Sequence, residues 1–167
     1  MGRTVNASDW IPLPPATEAR INRMMKSWEG TPYLHGHRIK GMGVDCYQIV
    51  AGFLDDMFGA PSGHTRLPRL SAQIARNKPD IARQAIKRLC RAHEGSPPVT
   101  GGIEPGDIMV VRSIIRTDGH EFEGHTLIAG TVPGTVLHAI QPSVTWSSSE
   151  GRDIIRVYRP KGKHRWI

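Results

Sequence analysis

Apolar residues fall at helical spacing over residues 17–29, where Ala19, Ile21, Met24, Met25 and Trp28 make one stripe. The stripe predicts an amphipathic helix, capped by Thr17 and stopped by Gly30-Thr31-Pro32. Ahead of it the chain runs through Ile-Pro-Leu-Pro-Pro. Each proline fixes its own φ and keeps the preceding residue extended, so residues 1–16 read as an extended N-terminal arm. Residues 30–45 carry Gly36, Gly41 and Gly43 and read as a loop. Helical spacing returns over 46–58, where Ile49, Val50, Phe53, Leu54, Met57 and Phe58 share a face. Asp45 stands at the N-cap position of that helix and Gly59 lies just past its end. Residues 70–93 predict one further helix or two, broken near Lys78-Pro79, with Ile81, Ala82, Ala85, Ile86, Leu89 and Cys90 on the apolar side. Residues 94–102 read as a loop.

The period then changes. Residues 107–115, 126–130, 136–140 and 154–158 are short runs rich in β-branched residues, separated by Gly, Pro and Ser, and they predict strands. Helices first and a sheet afterwards imply an α+β fold, with N-terminal helices packed on an antiparallel β-sheet. The reading is one domain over residues 17–160 with a helical insertion at about 66–93, followed by a basic tail over 161–167.

Composition narrows the function classes. Hydrophobic residues make up 38% of the 167 and charged residues 22%, which excludes wholesale disorder. The net charge of +7 favours an anionic partner such as nucleic acid, anionic lipid or an acidic polymer. The cations are spread from Arg3 to Arg165 without a dense block or interleaved aromatics, so no specific nucleic-acid site is expected. Those of the insertion, among them Arg76, Arg83 and Lys87, would give it a cationic outer face for an anionic partner. Two cysteines, Cys46 and Cys90, make neither a disulfide framework nor a zinc pair. No segment has the apolar length of a signal peptide or a membrane span, so synthesis in the cytoplasm without a signal peptide is the expectation.

Cys46 opens the second helix, where the macrodipole and unpaired N–H groups favour a thiolate and can hold a developing oxyanion. A thiol nucleophile still needs a proton shuttle, and histidine serves near neutral pH. His125 begins one strand and His138 lies on the next, and the link Thr131-Val132-Pro133-Gly134-Thr135 makes them a hairpin. Folding back brings His138 within a residue or two of His125, where it can bond the second imidazole nitrogen. Other residues have plainer readings. Cys90 sits on an apolar helical face and reads as core, and Asp107 reads as closing a turn. His35 and His37 flank Gly36 near Cys46 but match no metal-site spacing, so neither metal nor cofactor is expected. His120, Glu121, Glu123 and the tail residues Lys161 to Arg165 read as solvated.

Gly-Thr-Pro-Tyr-Leu-His-Gly (30–36) and Gly-Met-Gly-Val-Asp-Cys-Tyr-Gln-Ile-Val (41–50), with Pro-Gly-Asp-Ile (105–108), Gly-His-Thr-Leu-Ile (124–128) and Val-Leu-His-Ala (136–139), resemble the motif series of NlpC/P60 cysteine peptidases in order and spacing. The resemblance implies a papain-like fold and hydrolysis of peptide bonds in peptidoglycan, commonly at D-γ-glutamyl linkages, hence cell-wall degradation by a thiol protease. It would make Cys46 the nucleophile, His125 the base and His138 the residue that orients it. It would also set Tyr33 beside the nucleophile and Asp45 at the substrate's amine end; Tyr47, next to the nucleophile, is a further candidate substrate-binding residue. Tyr47-Gln48 stand where the family carries Ser-Gly, and Thr126-Leu127 where it carries Val-Gly. The chain looks most like the bacteriophage tail-associated branch, which would make tail proteins its partners and the cell wall its place of action. The alternatives are an amidase or acyltransferase on the same fold, or a non-catalytic tail assembly module.

Overall fold

The computed structural model describes residues 4–59, 95–98, 101–114, 121–160 and 166. The insertion at 66–93 with Cys90, His120 and tail residues 161–165 lie outside the described residues.

Helix α1 spans Pro15–Lys26. It starts at Pro15, whose missing N–H costs nothing in the first turn. Thr17, expected as the cap, lies inside that turn and is buried. Ile21 and Met25 form the buried stripe. The loop that follows holds a two-stranded ribbon, β1 (Arg38–Ile39) and β2 (Gly43–Val44).

Helix α2 spans Gln48–Phe58 and ends on Gly59, whose φ of 69° suits a residue without Cβ. The helix starts two residues later than expected, with Tyr47 rather than Asp45 at its N-cap, but Asp45 still ties its start: Oδ1 accepts hydrogen bonds from the N–H groups of Tyr47 (3.0 Å) and Gln48 (2.8 Å). The face carrying Ile49, Val50, Phe53, Leu54 and Met57 is fully buried. Gly52 lets the Trp28 ring close onto the helix, since a Cβ there would sit 2.3 Å from that ring.

Six strands make the sheet: β3 (Gly95–Pro98), β4 (Ile108–Ile114), β5 (Glu121–Ala129), β6 (Thr135–Ala139), β7 (Val144–Ser148) and β8 (Ile154–Pro160). Their order is β3-β8-β4-β5-β6-β7 and every pairing is antiparallel. Three strands depart from the expectation, the first being β5, which begins at Glu121, inside the stretch read as a solvated loop, and so carries His125 within the strand rather than at its start. Residues 95–98, read as loop, pair with β8 at the sheet edge, where prolines cost no ladder bond on the open side. The Ser- and Thr-containing run Val144–Ser148 carries few apolar residues, yet it pairs along all of β6.

The sheet is buried on both faces. Ile108 and Val110 point to the helices with Ile128, Leu137 and Ala139. Met109 and Val111 point the other way with Leu127, Val136, Ile154 and Val157. The arm covers this second face, placing Val5 and Trp10 on it. Ile11 N–H donates to the carbonyl of Ile103 (2.7 Å), and Trp10 Nε1 donates to the carbonyl of Gly130 (2.9 Å). Trp166 lies beyond the solvated tail expected at 161–165; it is buried in the helix-side core, edge-on to Phe53 and Phe58.

Candidate active site

Cys46 sits at the head of α2, where the helix meets β5. Backbone N–H groups of Thr126, Cys46 and Tyr47 lie against its sulfur and favour the thiolate. Burial and the neighbouring Asp45 charge outweigh them, so the thiol is pushed well above its ordinary range. This corrects the expectation of a helix-end thiolate: removing the sulfur from water costs more than the helix end returns. Thr126 Oγ1 donates to the carbonyl of Cys46 and ties the helix head to the strand.

The residue before Thr126 is His125. Its Nε2 lies 2.8 Å from Nδ1 of His138, the imidazole contact that the hairpin predicted. The β5–β6 ladder pairs Ile128 with Leu137 and Ala129 with Val136, and His138 is one step further along β6. Burial first, then His138 and Arg152, bring His125 down to about 3. Burial and then Arg152 bring His138 down to about 4. Both imidazoles are therefore neutral at physiological pH. The contact to His138 occupies Nε2 of His125 and leaves its Nδ1 as the nitrogen for a substrate or thiol proton. Cys46 and His125 meet through the backbone of Thr126, and no thiol–imidazole hydrogen bond is formed.

The expected substrate residues gather at the loop beside α2. Asp45 uses both oxygens on backbone, Oδ1 on the helix start and Oδ2 on the N–H of Gly36 (2.7 Å). Tyr33 Oη is 3.3 Å from His35 Nδ1, with the two rings edge to face. His37 Nδ1 is 2.8 Å from the carbonyl of His35. Tyr47 is buried, and burial followed by Cys46, Asp45 and Tyr33 pushes its phenol far up. Its hydroxyl finds no partner among the described residues. Asp107 closes its turn as expected: Oδ2 accepts from the N–H of Glu104 (2.9 Å) and pairs with Arg159 (3.0 Å).

Sequence reasoning missed Arg152. It follows β7 and acts electrostatically on both histidines. Nothing in a lone arginine after Ser-Ser-Ser-Glu-Gly signals that position.

No family model matches the sequence and no curated protein does. Solved structures do. An NLP/P60 family protein described as similar to a lipoprotein, from Staphylococcus aureus subsp. aureus Mu50, matches with a TM-score of 0.54 and 17% identity, over 90% of this chain and 43% of that one. This chain thus spans less than half the length of that protein. The NlpC/p60 domain of the peptidoglycan hydrolase SagA matches with a TM-score of 0.49 and 22% identity, over 82% of this chain and 95% of that one. What identity this low shares is architecture, and the architecture is the α+β fold of NlpC/P60 domains.

Proposed function

We propose that this chain is a cysteine peptidase that hydrolyses amide bonds in peptidoglycan stem peptides, with Cys46 as nucleophile, His125 as base and His138 as its orienting partner. The observation that carries the reading is the junction at Thr126. It backs the head of a cysteine-bearing helix onto the strand that presents a paired histidine. The substrate class rests on the motif series and on the fold.

The neutral resting pair sets the mechanism. With the Nε2 proton of His125 donated to His138 Nδ1, the Nδ1 lone pair of His125 is free. As Sγ of Cys46 attacks the carbonyl carbon, His125 takes the thiol proton and becomes imidazolium. The backbone at the head of α2 faces the oxyanion. The imidazolium returns its proton to the departing amine, which leaves a thioester. A water deprotonated by His125 hydrolyses it, releasing the carboxylate and restoring the thiol. Tyr33 lies on the loop beside the sulfur, while Asp45 and Tyr47 are buried next to it and shape the site from beneath, Asp45 through its backbone hydrogen bonds. Residence in a phage tail belongs to the same proposal, and detection of the chain in purified virions tests it.

Mass analysis of defined muropeptides after incubation with the protein tests the activity. Cleavage at one stem-peptide amide is expected, lost in Cys46→Ser. Intact peptides after incubation with wild-type protein, or equal cleavage by Cys46→Ser, would overturn the reading.

A further inference from the structure

The turn end of the β6–β7 hairpin and the N-terminal arm enclose an open groove of about 630 Å³, a size that takes a ligand of two or more rings. Both walls are fixed. Ser149 Oγ donates to the carbonyl of Val5 (3.1 Å) and holds the arm against the end of β7. Ala7 packs on the hairpin turn, 3.3 Å from where a Cβ on Gly134 would sit. Trp146 lines the groove and is half-buried. Its indole rests against Gly130, where a Cβ would lie 3.1 Å from Cζ3, so the glycine makes room for the ring. The groove also has a fixed place relative to the histidines. Thr145 is the register partner of His138, Trp146 follows it, and Ser148 pairs with Thr135 at the far end. Three residues of strand, about 10 Å, separate that end from the level of His138.

The lining is rich in hydroxyls. Ser147 Oγ accepts from Arg152 Nη2 (2.9 Å), and Ser148 Oγ accepts from the N–H of Glu150 (3.1 Å). Each hydroxyl keeps an O–H to donate, and no described residue accepts from either. Among the described residues that line the groove, Glu150 alone carries a charge; it is exposed, and none of them pairs with it. A groove whose one charged lining residue is a carboxylate disfavours anionic ligands. It suits an uncharged ligand that offers hydroxyls to the carboxylate, acceptors to the two O–H groups and a C–H face to the indole. A sugar ring meets all three demands.

We propose that this groove binds an uncharged oligosaccharide. Resting on the peptidase reading, the ligand is the amino-sugar strand of peptidoglycan, held while a stem peptide attached to it reaches the histidine pair. One sugar packs on Trp146 and donates hydroxyls to Glu150, while Ser147 and Ser148 donate to an acetamido carbonyl.

Calorimetric titration of the wild-type protein with the β-1,4-linked trimer of N-acetylglucosamine, which carries no peptide, tests it. Saturable binding is expected, weakened at least ~10-fold in Trp146→Ala, the usual scale for a truncated aromatic anchor. Glu150→Gln alters one exposed side chain, so the fold is safe, and it should weaken binding several-fold. Cellotriose, with the same linkage and no acetamido groups, should bind more weakly than the trimer. No binding of the trimer, or undiminished binding in Glu150→Gln or in folded Trp146→Ala, would overturn the groove as a sugar site. Equally tight binding of cellotriose would overturn the assignment to the wall strand, and displacement of the trimer by a sugar-free stem peptide would give the groove to peptide instead. Trimer binding without cleavage of any muropeptide would leave the sugar site standing and overturn the peptidase; cleavage without trimer binding would do the reverse.

Discussion

Around Cys46 the backbone does the holding, whereas around His125 side chains do. The helix head is fixed by N–H groups that converge on the sulfur and on Asp45, and Asp45 spends both carboxylate oxygens on main chain. The histidine side has one imidazole contact, an unmet Nε2 and a guanidinium anchored from β7. Burial keeps the thiol and the two imidazoles uncharged, raising the first and lowering the others. The contrast teaches that neither half is reactive by itself. In the mechanism we propose, proton transfer waits until a substrate brings sulfur and Nδ1 into register, and the thiolate–imidazolium pair is transient.

The largest effects should come from removing either half's reacting group. Cys46→Ala should abolish turnover, and His125→Ala should lower kcat/KM by roughly 10²–10⁴, the usual contribution of a positioned base. Because the two act as a unit, Cys46→Ala with His125→Ala should be no worse than Cys46→Ala alone. Multiplying losses would mean that the halves work independently.

His138 tests whether the sheet half only orients. His138→Asn keeps a polar atom near Nε2 of His125, while His138→Ala keeps none. We expect a loss in kcat of about 10-fold for Asn and about 100-fold for Ala, within the 10–100-fold range for lost outer-shell orienting partners. Equal losses would show that the contact to His125 is not used for orientation.

Acid should unmask the burial that both halves share. The folded imidazoles titrate at about 3 and about 4, below the ordinary 6.5 of an unfolded chain. As pH falls below 6.5 the unfolded chain takes up protons that the folded one refuses. Stability present above 6.5 is therefore lost toward pH 4, by up to about 1.4 kcal/mol per pH unit for each histidine. Calorimetric melting from pH 7.5 to 4.5 should show a shallower decline for His138→Asn than for wild type. The raised thiol makes the matching claim for the helix half: at pH 7, iodoacetamide should alkylate Cys46 more slowly than it does a free cysteine.

The parts of this arrangement that were legible in the sequence are those set by local pattern. The apolar spacing of Ile49 to Met57, the Asp45 tie to the helix start and the His125–His138 hairpin each follow from periodicity or turn chemistry. What was not legible depends on distant partners. Trp10 and Val5 read as an arm because their burial needs the second sheet face, which exists only after β4, β5 and β8 assemble. Strand β7 carries Ser and Thr because Thr145 is exposed and Ser147 only half-buried, so the alternation is weak. Arg152 acts on the histidines only through its charge, from a turn beyond β7, and the charge state of Cys46 depends on a burial depth that a helix-end argument cannot supply.

The smallest expected effect concerns the bond that joins the halves. Thr126 donates from its hydroxyl to the carbonyl of Cys46, and its backbone N–H faces the Cys46 sulfur. Thr126→Val keeps the shape and the N–H and removes only the hydroxyl. A neutral hydrogen bond contributes about 1 kcal/mol net, so the fold should survive with a loss of that order, read from the urea midpoint at unchanged m-value. The consequence for catalysis is more telling. If Thr126 merely packs, kcat should fall no more than stability predicts, which is not at all in a protein that remains folded. If it sets the position of Cys46 against the strand that carries His125, kcat should fall several-fold with KM unchanged, because misplacement of the sulfur is felt as the reacting atoms approach. Unchanged kcat in a folded Thr126→Val protein would show that the two halves find each other through the substrate alone.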